Sequence, residues 1–344
     1  MLAIGIVCMY NYDIQIRSQS GNGGIIMKKL IAIVLCMVLA LSLAACESGA
    51  SKMTMGTGGT SGTYYAFGGV LGQYIKNNAG IDVTVVSTDV SKANIQGIDA
   101  GDYQLGTVQS DVMAYAWAGT RSFESDGKID SFRVVAGLYA ESVQLVTMDP
   151  EIKSVADLKG KSVSIGAPGS GVYFNAIDVL AAAGLTENDI NAQYLSFGDS
   201  ADGLKDGKIQ AAFIVAGAPT AAITELCTTN SAYLVPIDGD IAAKLMADSP
   251  FYTAYTIPAG TYHGQTEDVN TVTVKATLIV SASASENDVY KLTKAIFENT
   301  AAIATENGKG AELSIENATS GMTAPFHAGA AKYFAEKGVT VPTE

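Results

Sequence analysis

The feature that most constrains the fold is a unit that occurs twice: a short apolar strand, a loop of glycine and small hydroxyl residues, and an amphipathic helix. The first copy is Met55-Gly56-Thr57-Gly58-Gly59-Thr60-Ser61-Gly62-Thr63-Tyr64-Tyr65, which runs into a helix over 64–76 with Tyr64, Phe67, Val70, Leu71, Tyr74 and Ile75 as its apolar positions. The second is a strand at 162–165, the loop Gly166-Ala167-Pro168-Gly169-Ser170-Gly171, and a helix over 172–183. Such loops supply no core, but glycine lets the main chain lie against a ligand, and a helix start offers unpaired N–H groups at a positive dipole end. The natural guest is an anion.

Around these units the pattern alternates strand and helix. Strands are expected at 52–55, 83–87, 104–108, 133–138 and 143–148 in the first half, and at 190–195, 211–215 and 233–236 in the second. Helices are expected at 91–100, 112–119, 200–206 and 221–226, and, after a mostly alternating strand at 269–280, at 286–305 and 327–337. The predicted architecture is α/β, with two lobes that each hold a central, mostly parallel sheet. The segment 252–262 reads as a return crossing, so lobe 1 comprises 52–147 and 256–344, lobe 2 comprises 148–255, and two crossings form a hinge.

Loops beyond the carboxyl ends of parallel strands are where open α/β sheets bind ligands. Thr60, Ser61, Gly62, Thr63 and Tyr64 are therefore candidate donors to a ligand carboxylate, with Ser170, Gly171 and Tyr173 as their counterparts in the second lobe. Gln109 and Asp111 follow a strand end; Asp111 suits a ligand ammonium group or a helix cap equally. Gly217 and Pro219 would shape the cleft floor, and Tyr139 and Glu141 its edge. Arg133, one of two arginines beyond residue 45, either forms a structural ion pair or reaches the cleft.

Lys28-Lys29, the apolar run 30–45 and Leu43-Ala44-Ala45-Cys46 read as a signal peptide (27–45) ending in a lipoprotein cleavage box, with Cys46 as the lipid site and 46–51 as a tether. Residues 1–26 then precede a complete signal peptide, and a misassigned start with translation from Met27 is expected. Setting aside 1–45, which contain Arg17, Lys28, Lys29 and Asp13, leaves 18 basic and 33 acidic residues. With no basic run, nucleic acid is not an expected partner. Cys227 is the one cysteine left besides Cys46, so no disulfide is expected. His263 and His327 each stand alone, without the second ligand a metal site needs, and no cofactor motif is present.

The phrases G-T-G-G-T-S-G-T-Y-Y, Q-S-D, L-K-G-K-S-V-S-I-G-A-P-G-S-G, I-P-A-G-T-Y and P-F-H-A-G-A resemble, in order and spacing, the TAXI family of extracytoplasmic solute receptors of TRAP transporters. The similarity runs from Met53 to Gly338. It implies a periplasmic-binding-protein-like fold that closes on a small organic anion, often glutamate or a related acid, and delivers it to a membrane permease; the lipid on Cys46, expected from the cleavage box, would be the membrane anchor. The family pattern T-G-G-S-x-x-N is matched by Thr88, Ser91 and Asn94, adding them to the candidate site, whereas Asp89 and Val90 replace its glycines. Two other readings stay open: an exported α/β hydrolase or esterase, which requires a histidine beside Ser61 or Ser170, and a ligand-sensing lipoprotein that partners a kinase.

Overall fold

The structure, a computed structural model, describes residues 51–168 and 170–344. The upstream extension, the signal peptide and Cys46 lie outside the described residues. Lobe 1 begins with β1 (Lys52–Gly56), α1 (Thr63–Ala79), β2 (Asp82–Val86), α2 (Val90–Ala100), β3 (Leu105–Gln109) and α3 (Ser110–Ala118), followed by the long strand β4 (Phe132–Thr147). The second glycine unit supplies β5 (Ser162–Ser164) and α4 (Gly171–Ala182); then come β6 (Asn191–Gln193), α5 (Phe197–Lys205), β7 (Ala211–Ala216), α6 (Ala221–Thr229), β8 (Tyr233–Val235), α7 (Gly239–Asp248) and β9 (Thr253–Ile257). The long strand β10 (Val269–Ser281) leads to α8 (Glu286–Phe297), α9 (Thr300–Glu306), α10 (Ile315–Thr319) and α11 (Ala328–Glu336).

The helix α1 shows why the pattern folds as it does. Phe67, Leu71 and Ile75, four residues apart, are fully buried against the sheet. The helix stops at Gly80, whose left-handed φ of 70° turns its N–H back to the Lys76 carbonyl.

The strand order is β2-β1-β3-β10-β4-β7-β5-β6, with β8 added to β4 and β9 to β10. The outer strands pair parallel, β2-β1-β3 on one side and β7-β5-β6 on the other. The two long strands between them pair antiparallel with each other and with their neighbours. Hence the two expected sheets are joined into one hydrogen-bonded sheet, and β4 and β10 serve both lobes.

The cores show where each strand changes lobe. Phe132 to Tyr139 and Ala276 to Val280 pack with α1, α3, α8 and α11, whereas Val143, Leu145, Val272 and Val274 pack with α4 and β7. A third cluster, around Ile214, Ile223 and Leu226, covers the other face of the lobe 2 sheet. Both crossings therefore fall in register, where Glu141 pairs with Val274 and Ala140 with Lys275, beside an irregularity between Lys275 and Thr277. The reading of 252–262 as the return crossing is corrected by this packing: β9 lies in lobe 2 against the first half of β10, and the chain returns at 274–276. The boundary near 147 moves back to 140–142 for the same reason, because one uninterrupted strand replaces the two expected at 133–138 and 143–148.

Candidate functional site

Four loops, each leading into a helix, surround a cavity of about 760 Å3 between the lobes. Residues 59–61 precede α1 and residues 87–89 precede α2, both from lobe 1; the loop ending at Ser170 precedes α4 and Leu195-Ser196 precedes α5, both from lobe 2. A small inner pocket of about 30 Å3 continues toward the hinge and shares Gly59, Val90, Val172 and Phe197 with the outer cavity.

The helix starts differ in how they are capped. Ser170 Oγ accepts from Tyr173 N, and Ser196 Oγ accepts from Asp199 N. The start of α1 has Gly62 as its cap residue and that of α2 has Asp89, and neither cap residue makes a side-chain cap bond; in α2 the Val90 N–H instead donates to Thr88 Oγ1 at 3.3 Å. Dipole ends of this kind favour an anion. The lining side chains pull the other way: Asp89, Asp199 and Asp202 edge the outer cavity, Glu141 lines the inner pocket, and among the described residues no lysine or arginine lines either.

The lobes are closed on one another. Thr63 Oγ1 donates to the Gly217 carbonyl at 2.8 Å, and Ala222 N donates to the Ser61 carbonyl at 3.1 Å. On the other flank, Gln109 Nε2 donates to Asn175 Oδ1 at 3.2 Å, and Asn175 Nδ2 donates to Asp111 Oδ2 at 2.9 Å. Farther out, Arg121 meets Asp178 at 2.6 Å, with its guanidinium over the rings of Tyr115 and Phe174. Burial raises the Asp111 carboxyl to about 6, against the lowering effect of the bonds from Asn175 and Val112 N–H. Burial also raises Glu141 to about 8, opposed by the Tyr64 hydroxyl that donates to it at 2.6 Å.

Of the residues expected from sequence, Thr60, Ser61, Thr88 and Ser170 line the outer cavity, and Gly62, Thr63, Tyr64 and Gln109 line the inner pocket. Several have duties other than those expected. The hydroxyls of Thr63 and Tyr64, read as ligand donors, are engaged by Gly217 and Glu141. Gly171 abuts the Gln109 side chain and Asp111 joins the interlobe network. Ser91, Asn94, Tyr173 and Pro219 are not among the lining residues. Ser91 Oγ accepts from Gln109 N, Tyr173 turns its hydroxyl to Glu187, and Pro219 forms a cis peptide with Ala218. Gly217 contributes its carbonyl to closure and lies against Lys309 and Tyr139. Arg133 takes neither expected role: among the described residues it forms no ion pair and does not line the cleft, and it donates instead to the carbonyls of Asp130 and Phe132.

Asn94 is a scaffold crosslink: buried, it donates to the carbonyls of Thr57 at 2.7 Å and Thr107 at 2.8 Å and accepts from Thr88 Oγ1 at 2.7 Å. Asn94→Ala leaves these partners unpaired and is expected to lower stability by about 3 kcal/mol; chemical denaturation with an unchanged midpoint would refute this.

The segment around Phe197 lines both cavities without being a site candidate by sequence, although Ser196-x-x-Asp199 after β6 carries a capping signal. His263 bonds the Cys227 carbonyl, and His327 caps α11 and bonds the Ala284 carbonyl; neither lines the cleft, so the hydrolase reading has no base beside Ser61 or Ser170. Among the described residues no cluster of three or more His, Cys, Asp and Glu is placed to hold a metal ion.

Residues 55–338 match the model of the NMT1-like family. The chain belongs to that family. Solved structures similar to it include a protein from Bordetella bronchiseptica RB50, 17% identical with a TM-score of 0.50 over 83% of this chain and 89% of that one. The alkanesulfonate-binding protein SsuA from Xanthomonas axonopodis pv. citri, bound to MOPS, is 17% identical with a TM-score of 0.47 over 83% of each chain. PhnD1 from Prochlorococcus marinus, in complex with methylphosphonate, is 12% identical with a TM-score of 0.49 over 72% of this chain and 85% of that one. At 17% identity the likeness to the first of these is one of fold.

Proposed function

We propose that this NMT1-like protein is an extracytoplasmic solute-binding receptor of a membrane transport system, and not an enzyme. The observation that carries the reading is a cavity between two separately cored lobes joined by two strands, the arrangement that lets a chain open, admit a small molecule and close on it. In the finer reading the protein is anchored by lipid on Cys46 and serves a TRAP-type permease, supported by the family phrases between Met53 and Gly338. The solute is a small organic acid whose carboxylate is met by the starts of α1 and α2. Glutamate fits this reading only if the helix starts outweigh the acidic lining.

The lobes already bond to one another, and a solute shifts the protein further toward the closed state by the contacts it adds to both of them. Thermal-shift screening of the full chain against amino acids, monocarboxylates and dicarboxylates, followed by small-angle scattering of the hits, is expected to give at least one compound that raises the melting temperature and compacts the protein. A panel in which nothing does both would overturn the receptor reading.

A further inference from the structure

Building on the receptor reading, we propose that Glu141 selects the solute by accepting a hydrogen bond from its donor end, a protonated nitrogen, in the inner pocket. Glu141 stands where β4 crosses between lobes, paired with Val274, and its side chain is buried. Tyr64 holds one carboxyl oxygen at 2.6 Å; the other takes no hydrogen bond from the described residues.

The rest of the pocket asks for the same chemistry. Apart from the proton that Glu141 itself carries at neutral pH, its side-chain donors are already engaged: Thr63 by the Gly217 carbonyl, Tyr64 by Glu141, and Gln109 Nε2 by Asn175. Its acceptors are not. Gln109 Oε1 is buried and unpartnered, and its orientation follows from the network, because Asn175 must turn its Nδ2 toward Asp111 and thus offers only its oxygen to Gln109. A donor-bearing group is what completes such a pocket, since an unmet buried acceptor is costly. The cation nearest in influence, Lys309, is paired with Glu312 at 2.6 Å, so Glu141 has no protein counter-ion of its own.

Burial raises the Glu141 carboxyl to about 8, so at neutral pH it holds its proton. An ammonium group docking there favours the carboxylate, and the displaced proton passes to buffer. The test pairs each amino acid with its 2-hydroxy and des-amino analogues: alanine with lactate and propionate, glutamate with 2-hydroxyglutarate and glutarate. Isothermal titration calorimetry at pH 7 in buffers of different ionisation enthalpy measures affinity and proton exchange together.

Expected are at least tenfold tighter binding of an amino acid than of its analogues, release of about one proton, and loss of both preference and release in Glu141→Gln. Equal binding of an analogue, binding without proton release, or a Glu141→Gln variant that keeps the preference would overturn the proposal; should that variant fail to fold, the wild-type measurements decide alone. If neither series binds while another solute compacts the protein, this inference falls and the receptor reading stands. If no solute does, both fall.

Discussion

Gly171→Ala is expected to open the protein without unfolding it. A methyl carbon at this position would collide with Gln109 Oε1 and lie 2.5 Å from Gln109 Cδ and 3.0 Å from Val112 Cγ2, all across the lobe interface. Gln109 cannot simply swing aside, because it is buried and bonded to Asn175, which in turn holds Asp111. Forcing a methyl into such a contact costs about 1–3 kcal/mol or more. The whole of this cost falls on the closed state: lobe 1 and lobe 2 keep their own cores, and alanine suits the first turn of α4 better than glycine does. A penalty of that size weakens solute capture by about 5- to 150-fold. Small-angle scattering of the solute-free variant should show a larger radius of gyration with a melting temperature within a few degrees of wild type. Gly69→Ala, on the open side of α1 with nothing near its new methyl, is the control. A variant as compact as wild type would show that the Gln109 contact does not hold the lobes together.

Much of this arrangement was legible in the sequence, and the parts that were not have a common cause. The two glycine loops and the helices after them are local patterns, and they form where the residues predict. Gln109, Asp111 and Glu141 were legible as polar residues near strand ends, but their partners lie in the other lobe or across the sheet, at separations no local pattern encodes. The same cause hid the continuity of β4. The polar residues Glu141, Ser142 and Gln144 interrupt its apolar run, so it reads as two strands, whereas closure buries them along one. The helix α7 was missed because it buries only Ala242 and Leu245. Val90 is a different case. It adopts a left-handed φ of 68°, which strains a β-branched residue by about 1–3 kcal/mol. Since Val90 lines both the outer cavity and the inner pocket, the strained residue is part of the candidate site.

The second large effect is a fall in stability from weakly acidic to alkaline pH, set by two buried carboxyls. Glu141 and Asp111 are raised to about 8 and about 6, while in the unfolded chain such groups titrate near 4. Between those limits the native protein holds protons that the unfolded chain has released, so the stabilisation is full below about pH 4 and is lost as pH rises through 6 and then 8. Where Glu141 alone holds its proton, the slope approaches 1.4 kcal/mol per pH unit. The groups facing Glu141 are Tyr64 on α1, Asp111 on α3, Tyr139 beside it on β4 and Lys309 after α9; only Lys309 carries a positive charge, and it is paired with Glu312. Other groups shift in the opposite sense, in other pH windows. Surface carboxyls held low by lysine partners, such as Asp82 and Asp126, lose their contribution as pH falls through their lowered values, and His327, held low by burial, loses its own as pH falls below the usual imidazole range. Comparison with Glu141→Gln removes these shared terms. The difference in unfolding free energy between wild type and variant, followed by urea denaturation from pH 5 to 8.5 without solute, is expected to move steadily in favour of the variant. Parallel curves would mean that Glu141 is ionised in the native protein, and the inner pocket would then carry a permanent negative charge.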